Sequence, residues 1–209
     1  MSTRTLPALG QGLRRPLAVL AAVGAVLLAV PAVAFAGDTG PSRLDGSVQQ
    51  LVDKSPAGLW NLAHALDWLG EPTGRAVLTI ALAAVCLVAG RRMLAIAAVA
   101  AMVAATLLST VLKYVVDRRI HDGSLSYPSG HVAAVTVAAT IIGLLLADLL
   151  RTTSVRGTAV VPAVSVLGGG LMAWGQILLT AHYPTDALGG YGCGLLVTAG
   201  AVLLMPRRG

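Results

Sequence analysis

Hydrophobic positions along this chain form six runs, separated by four short polar stretches and one long one. The runs cover about 16–36, 76–90, 93–112, 132–150, 158–181 and 187–205. Most of them approach the ~20 residues that a helix needs to cross the hydrocarbon core of a bilayer. Hydrophobic residues make up 56% and charged residues only 11% of the 209 positions. This pattern predicts an all-α fold, a polytopic membrane helical bundle with about six transmembrane helices.

The long polar stretch, about 37–74, lies between the first and second runs. Within it, Val48, Leu51 and Val52 recur at helical spacing, and a second apolar stripe passes between Trp60 and Trp68. Short amphipathic helices with tryptophans are typical of the membrane interface. We therefore divide the chain into three parts. They are 1–36, the N-terminus and first transmembrane helix; 37–74, an outer interfacial segment; and 75–209, a core with five transmembrane helices.

The placement of basic residues predicts the orientation in the membrane. Nine of the 15 Lys and Arg residues fall in four short segments that alternate with the apolar runs: Arg4/Arg14/Arg15, Arg91/Arg92, Arg151/Arg156 and Arg207/Arg208. Because basic residues concentrate in cytoplasmic loops, both termini are expected in the cytoplasm. Eight of the nine acidic residues then fall outside, and only Asp148 lies near the inner face. We expect a multi-pass plasma membrane protein with an extracytoplasmic site.

One alternative concerns the first helix. Arg14 and Arg15, the apolar run after them and the small residues Ala34 and Ala36 also resemble a cleavable signal peptide. The run is long for such a peptide, and an uncleaved helix completes an even number of spans, so an anchor is favoured. Cleavage would leave the remaining topology unchanged.

Other classes of function find little support in the composition. A net charge of +6 would suit nucleic acid, but no basic stripe with interleaved aromatic residues is present in the sequence. Cys86 and Cys193 lie inside apolar runs, away from any cluster of metal-binding residues, so neither a disulfide nor a zinc site is expected. No cofactor and no metal is predicted.

Two short segments combine histidine with a turn, and both fall on the predicted outer side. The first is Tyr127-Pro128-Ser129-Gly130-His131, at the start of the fourth apolar run. Ser129 is a good N-cap, and the free N–H groups of Gly130 and His131 would point outward from the helix. Three cations precede this segment at the outer end of the third run: Lys113, Arg118 and Arg119. Cations beside a helix N-terminus predict an anion site, and phosphate is the obvious anion at a membrane surface.

The second segment runs from His182 to Asp186. The i, i+4 spacing predicts that both side chains lie on one helical face, where the carboxylate would fix the imidazole tautomer and raise its basicity. Such an imidazole can attack phosphorus and form a phosphohistidine. His131 would then act as general acid toward the departing oxygen and as general base toward water.

These residues resemble the type-2 phosphatidic acid phosphatases, membrane enzymes related to the vanadium haloperoxidases. That family has three motifs: Lys-x6-Arg-Pro, Pro-Ser-Gly-His and Ser-Arg-x5-His-x3-Asp. The second is intact at Pro128–His131, the third keeps His182 and Asp186, and Lys113 matches the start of the first. The resemblance covers about 76–205. It implies metal-independent hydrolysis, with His182 as nucleophile, Asp186 orienting it and His131 as general acid.

Two motif positions depart from the family pattern. Gly175-Gln176 stands where the third motif has Ser-Arg, and Ile120 stands where the first motif has Arg. Arg118 and Arg119 lie one or two residues earlier and are candidates to replace that arginine. The expected phosphate-binding set is Lys113, Arg118, Arg119, Ser129, Gly130 and Gln176. A neutral amide at 176 weakens transition-state binding, which predicts a slower enzyme rather than an inactive one.

The sequence therefore predicts hydrolysis of a lipid phosphate monoester or lipid pyrophosphate at the outer membrane face. The expected partners are the bilayer and a lipid phosphate substrate. A non-hydrolytic member that binds or moves phospholipid is the main alternative, and a structural or channel-like protein is a third. A channel would need a row of charges within the membrane, which the apolar runs lack. The identity of the lipid and the oligomeric state stay open.

Overall fold

The computed structural model describes residues 11–150 and 155–205, and within them it contains eight α-helices. These are α1 (Gln11–Ala34), α2 (Arg43–Val52), α3 (Trp60–Gly70), α4 (Pro72–Val88), α5 (Arg92–Val116), α6 (Gly130–Leu149), α7 (Val155–Leu178) and α8 (Pro184–Leu203). A 3₁₀ turn, Ala57–Leu59, precedes α3. No strand is present in these residues apart from one isolated bridge between Arg119 and Leu125. The predicted all-α fold is confirmed.

Five helices are long and apolar enough to cross a membrane by themselves: α1, α5, α6, α7 and α8. The second predicted span forms differently. α4 has only 17 residues, and it is long enough to span only together with the 3₁₀ turn and α3, from which it is bent by 75°; we call this bent pair the broken span. Pro72 begins α4 at a position where its missing N–H costs nothing. At Gly74 a Cβ would lie 1.8 Å from the Trp68 carbonyl oxygen, so the bend requires glycine there. The described residues therefore contain five candidate spans, or six if the bent pair is one span, which agrees with the predicted number of about six.

The centre of the bundle is α6, which packs against α5, α7 and α8. α1 lies along α8, and their backbones touch at two glycines. A Cβ on Gly24 would lie 2.7 Å from the Gly192 carbonyl oxygen, and a Cβ on Gly192 would lie 2.6 Å from that of Gly24. Small residues allow this approach, which membrane helices use because lipid offers no hydrophobic force for their association.

Side-chain contacts define two ends of the bundle. At one end Arg14 donates to the Leu203 carbonyl oxygen (3.0 Å) and Arg91 pairs with Asp148, so α1, α5, α6 and α8 all have a terminus there. Both histidine segments lie at the opposite end, before α6 and before α8. Arg4, Arg151, Arg207 and Arg208 lie outside the described residues, as does the side chain of Arg156. Which end faces the cytoplasm stays a prediction.

Candidate active site

His131 lies in the first turn of α6, which begins as the sequence predicts. Ser129 is the N-cap, and its hydroxyl accepts a hydrogen bond from the Val132 N–H (3.4 Å). The backbone N–H of Ser129 donates to the Asp186 carbonyl oxygen (3.0 Å), so the start of α6 is tied to the first turn of α8. Ser129 is fully buried and Gly130 is partly buried. The helix N-terminus therefore brings His131 beside the α7–α8 connection.

His182 lies in that connection, ahead of α8 rather than on it. Pro184 is the first residue of the helix and holds Tyr183 in extended backbone, which ends any helical path from His182 to Asp186. The expectation that His182 and Asp186 share a helical face is therefore wrong. Asp186 instead accepts a hydrogen bond from the Tyr183 N–H (3.1 Å). No hydrogen bond joins His182 and Asp186 among the residues that the structure describes.

The two imidazoles nevertheless lie near one another. Their ring centroids are 6.4 Å apart, and the ring planes are inclined at 55°. His182 is only 8% exposed, and its Nδ1 has no hydrogen-bond partner in the described part of the chain. Burial lowers the pKa of His182 to about 3, helped by Lys113 and His131, while a hydrogen bond with the Ser126 backbone acts in the opposite direction. His182 is therefore neutral at physiological pH.

A cavity of about 380 Å³ opens beside His182 and Lys113. Its wall includes the loop after α5, with His121, Ser124 and Ser126. His182 also lines a second cavity of about 330 Å³, whose far wall is α2. The neutral imidazole thus stands where two cavities meet, accessible to a ligand from either one.

Of the three predicted cations, one lines this cavity. Lys113 donates from Nζ to the Leu125 carbonyl oxygen (2.6 Å) and forms part of the wall. Arg119 is exposed and pairs with Asp117 (2.7 Å). Arg118 is fully buried, and its guanidinium faces carboxylates rather than the cavity.

Arg118 is the centre of a closed polar cluster, which we define as Arg118, Asp45, Thr185 and Asp186. Arg118 lies 2.8 Å from Asp45 and 2.6 Å from Asp186, and it also donates to the Thr185 hydroxyl. Asp45 accepts from the Thr185 backbone (2.9 Å) as well. Burial raises the pKa of Asp45, but hydrogen bonds from Thr185, Ser42 and Arg118 outweigh it and bring this pKa below its usual value. The cluster ties α2 and the α5–α6 loop to the start of α8.

Sequence reasoning missed two carboxylates that lie beside His131. Asp67 Oδ1 is 3.4 Å and Glu71 Oε1 is 3.7 Å from His131 Nε2. Gln176, which is buried, donates from Nε2 to Asp67 Oδ1 (2.8 Å). One ligand atom from each of Asp67, Glu71 and His131 lies within 4.8 Å of the others, so within the described part of the chain these three side chains are close enough to hold a metal ion. The i, i+4 spacing of Asp67 and Glu71 was visible in the sequence, but their position beside the start of α6 was not.

The bend between α3 and α4 holds these carboxylates in place. A Cβ on Gly70 would lie 2.0 Å from the His131 ring, so α3 ends directly against the imidazole. Arg75, also missed from the sequence, donates to the Gly70 carbonyl oxygen (2.7 Å) and to Thr106 of α5 (3.1 Å). Its guanidinium is 3.5 Å from the Cβ position of Gly130. The broken span therefore forms one wall of the histidine site.

Known proteins share part of this sequence and the fold. A family model described as the PAP2 superfamily matches residues 94–209, more than half of the chain. Among solved structures, the chain resembles the first transmembrane PAP2-type phosphatidylglycerolphosphate phosphatase from Bacillus subtilis. That likeness has a TM-score of 0.63 at 21% identity, and covers 87% of this chain and 94% of that one. No curated protein sequence gives a match. At this identity the structural likeness shows the shared fold.

Proposed function

The chain belongs to the PAP2 superfamily, and from that premise we propose that it hydrolyses a lipid phosphate monoester or a lipid pyrophosphate. The family and the fold support lipid phosphatase activity in general. One observation carries the finer proposal. A neutral, almost buried His182 has its ring 6.4 Å from that of His131, at a cavity that Lys113 also lines. A phosphoryl group between two imidazoles has a nucleophile on one side and a proton donor on the other.

In the proposed reaction an unprotonated nitrogen of His182 attacks phosphorus. A P–N bond forms as the P–O bond to the lipid breaks, and His131 gives its proton to the departing oxygen. Water then attacks phosphorus as the P–N bond breaks, and His131 takes up a proton from that water, which releases inorganic phosphate and restores a neutral His182 and a protonated His131. Lys113 and the backbone N–H groups of Gly130 and His131 would stabilise the charge on the phosphoryl oxygens.

Asp186 acts in this proposal through the segment that carries His182. It accepts from Tyr183 N–H (3.1 Å) and pairs with Arg118 (2.6 Å), contacts that fix the residue immediately after the nucleophile. We therefore assign Asp186 a positioning role.

The test is phosphate release by the purified protein from phosphatidic acid and from a polyprenyl diphosphate. We expect wild type to release phosphate from at least one of them and His182→Ala to release none above background. His64→Ala is the matched control, because the His64 ring lies 6.3 Å from that of Trp60 on the same helix, α3, and takes no part in the proposed chemistry. Equal release by wild type and His182→Ala, or none from any lipid phosphate, would contradict the proposal.

A non-hydrolytic role in binding or moving phospholipid is the second candidate. Gln176 stands where the family motif has arginine, and Arg118 is enclosed by carboxylates, so the cavity has few cations to stabilise a transition state. This candidate predicts an inactive wild type that gains turnover with Gln176→Arg. Turnover by wild type that His182→Ala abolishes would exclude it.

We further propose that the site faces the extracytoplasmic side of the plasma membrane. The arginine distribution supports this orientation. In intact cells, a membrane-impermeant thiol reagent should label Asp122→Cys, an exposed position at the cavity wall, and should not label Arg92→Cys at the opposite end. The reverse labelling pattern would invert the topology.

A further inference from the structure

We propose that Asp67, Glu71 and His131 bind a divalent transition-metal ion of the zinc class, and that the bound ion inhibits the phosphatase. The inhibitory part rests on the proposed function, whereas the binding itself does not. His131 Nε2 lies 3.4 Å from Asp67 Oδ1 and 3.7 Å from Glu71 Oε1, and the three ligand atoms lie within 4.8 Å of one another. In the described part of the chain, no other three histidine, cysteine or carboxylate side chains come this close together.

The distances between the ligand atoms fit a tetrahedral zinc ion. Zinc binds imidazole nitrogen and carboxylate oxygen at about 2.0–2.2 Å, which places two ligand atoms about 3.4 Å apart. The distances of 3.4 and 3.7 Å from His131 Nε2 need little adjustment to reach that value. Glu71 has the longer distance, and its side chain is 52% exposed, so it is free to turn toward the ion. One imidazole with two carboxylates suits zinc, whereas magnesium prefers six oxygen ligands.

The hydrogen bonding of these groups indicates a place for a cation. His131 Nε2 is buried and has no hydrogen-bond partner among the described residues, so its approach to Asp67 is not a hydrogen bond. Within the same residues, neither Asp67 nor Glu71 forms an ion pair with a lysine or an arginine. Buried polar atoms in folded proteins are ordinarily satisfied. A cation shared by the imidazole nitrogen and the two carboxylates would satisfy all three groups.

Gln176 of α7 gives independent support for a ligand at this place. It is 1% exposed, and its amide is directed at Asp67, because its Nε2 donates to Asp67 Oδ1 (2.8 Å). The oxygen of the same amide has no partner in the described residues, so a buried, unsatisfied polar atom lies at the edge of the site. Carboxylates that bind metals are held by such hydrogen bonds from neighbouring groups. Arginine, which the family motif has at this position, would instead bring a positive charge to Asp67 and oppose a metal ion.

The backbone around the bend holds the three ligands together. Asp67 lies in the last turn of α3, and Glu71 follows that helix directly. Gly70, between them, lies against the His131 ring, where a Cβ would be 2.0 Å from it. Arg75 donates to the Gly70 carbonyl oxygen (2.7 Å) and so fixes the end of α3. The ligands are therefore brought together by the packing of α3 against α6.

Two neighbouring cations limit the affinity of the site. Arg75 and Lys113 oppose positive charge at His131. Both of them donate to backbone carbonyl oxygens, Arg75 to Gly70 and Lys113 to Leu125, rather than to the ligand carboxylates. The two carboxylates balance the charge of a divalent ion, and the cations weaken its binding. We therefore expect an ion that binds reversibly and that chelators remove.

A bound ion would inhibit the reaction through His131. An imidazole nitrogen binds a metal only in its neutral form, so a metal–nitrogen bond replaces an N–H bond and the proton goes to solvent. While the ion is bound, His131 is not the imidazolium that protonates the departing lipid oxygen. His182 is not a ligand in this arrangement, and its nitrogen stays available. Zinc should therefore lower kcat more than it raises KM.

The first experiment is calorimetric titration of Zn²⁺ into the purified, EDTA-treated protein in detergent. We expect one ion per chain in wild type. Asp67→Asn removes a ligand and should lower the affinity at least about a hundredfold, whereas Gln176→Leu removes only the group that holds Asp67 and should lower it about tenfold. Gln176→Arg should resemble Asp67→Asn. Asp122→Asn is the matched control, because it removes an exposed carboxylate at the same end of the bundle but no ligand.

The second experiment is phosphate release from phosphatidic acid at increasing Zn²⁺, with each variant compared with its own rate in EDTA. Wild type and Asp122→Asn should be inhibited at the concentrations that fill the calorimetric site. Asp67→Asn should need at least about a hundredfold more zinc. Magnesium at the same concentrations should neither bind at this site nor inhibit.

Several results would overturn the inference. No zinc binding by wild type, or equal affinity in wild type and Asp67→Asn, would reject the site. If Asp67→Asn does not fold, Glu71→Gln decides in the same way, because the Glu71 side chain is half exposed. Zinc that binds without inhibiting, or activity that EDTA abolishes and zinc restores, would reject the inhibitory role. Equal binding of magnesium would reject the assigned class of metal.

Failure of the proposed function is distinguishable from failure of this inference, because calorimetry needs no turnover. A wild type that hydrolyses no lipid phosphate but binds one zinc ion, lost in Asp67→Asn, rejects the proposed function and supports the site. An active wild type that binds no zinc rejects the site alone.

Discussion

The closed cluster around Arg118 and the histidine site lie side by side at one end of the bundle, but they differ in how many of their buried polar atoms have hydrogen-bond partners. In the closed cluster, Asp45 and Asp186 both receive donors from Arg118, and the rings of Phe35 and Tyr183 cover its guanidinium at 4.5 and 4.9 Å. Six buried side-chain atoms lack a hydrogen-bond partner in the described residues. Four of them surround the histidine site: Arg75 Nε, His131 Nε2, Gln176 Oε1 and His182 Nδ1.

This difference indicates a structural role for the closed cluster and is consistent with the proposed functional role of the histidine site. Burying a polar atom without a partner costs free energy, so folded proteins leave few of them. Nearly all buried polar atoms of the closed cluster have hydrogen-bond partners, and these contacts fix the loops. At the histidine site, several buried polar atoms lack partners, and a phosphate and its leaving group would supply hydrogen bonds to them. Substitutions in the first region should therefore affect mainly stability, and should reach turnover only through Asp186, whereas substitutions in the second region should affect turnover directly.

The largest expected effect is on stability, from Arg118→Met. This change leaves the carboxylates of Asp45 and Asp186 buried without their cation, and breaking a buried pair in this way costs about 3–5 kcal/mol. The free energy of unfolding, measured by denaturant titration in detergent, should fall by that amount. Arg119→Ala is the control, because the exposed pair of Arg119 with Asp117 contributes at most about 1 kcal/mol. Equal losses in both variants would show that the cluster is not a structural anchor.

The second prediction concerns the stability of wild type in acid. The pKa of His182 is about 3 in the folded protein and ordinarily 6.5, so between these values the unfolded chain binds the extra proton. Stability from this group is complete above pH 6.5 and is lost as the pH falls toward 3, by at most about 1.4 kcal/mol per pH unit. Denaturant titrations across this window should show a smaller decline in His182→Asn. Parallel declines would show that His182 is not desolvated.

Sequence patterns predicted the parts of this molecule that depend on local rules. The apolar runs predicted the membrane helices, because the length of a hydrophobic run is a local property. Ser129 predicted the start of α6, because capping acts within one helical turn. The prediction that His182 and Asp186 share a helical face was wrong for an equally local reason, because the helix begins at Pro184, between these two residues.

The remaining features depend on contacts between distant parts of the chain. Arg118 pairs with Asp45, 73 residues earlier, and nothing near either residue indicates the partner. Gln176 and Asp67 are 109 residues apart. Their contact exists because the broken span folds α3 back onto α6 and α7, and hydropathy cannot predict a 75° bend. The two histidines of the site were therefore predictable from the sequence, whereas the side chains that surround them were not.

The third prediction is that Gly70→Ala lowers turnover without unfolding the protein. The added methyl overlaps the His131 ring, so either the ring or the end of α3 must move, and small displacements of a catalytic group reduce rates strongly. We expect kcat for phosphate release to fall at least about tenfold. Gly170→Ala on α7 is the control, because a Cβ there meets nothing within 4 Å. Unchanged turnover in Gly70→Ala would mean that His131 tolerates displacement.

The smallest effects compare the two N-caps, one in each region. Ser42 caps α2 and shares a capping box with Asp45 of the closed cluster, whereas Ser129 caps α6 beside His131. Loss of either hydroxyl should cost about 1 kcal/mol of unfolding free energy. Only Ser129→Ala should also change kinetics, because its hydroxyl lies at the helix end proposed to bind phosphate, whereas Ser42→Ala should retain wild-type kcat and KM. Equal stability losses, with a kinetic change in Ser129→Ala alone, would show that the two regions have different roles. A kinetic change in Ser42→Ala would instead show that the closed cluster acts on the reaction through Asp186.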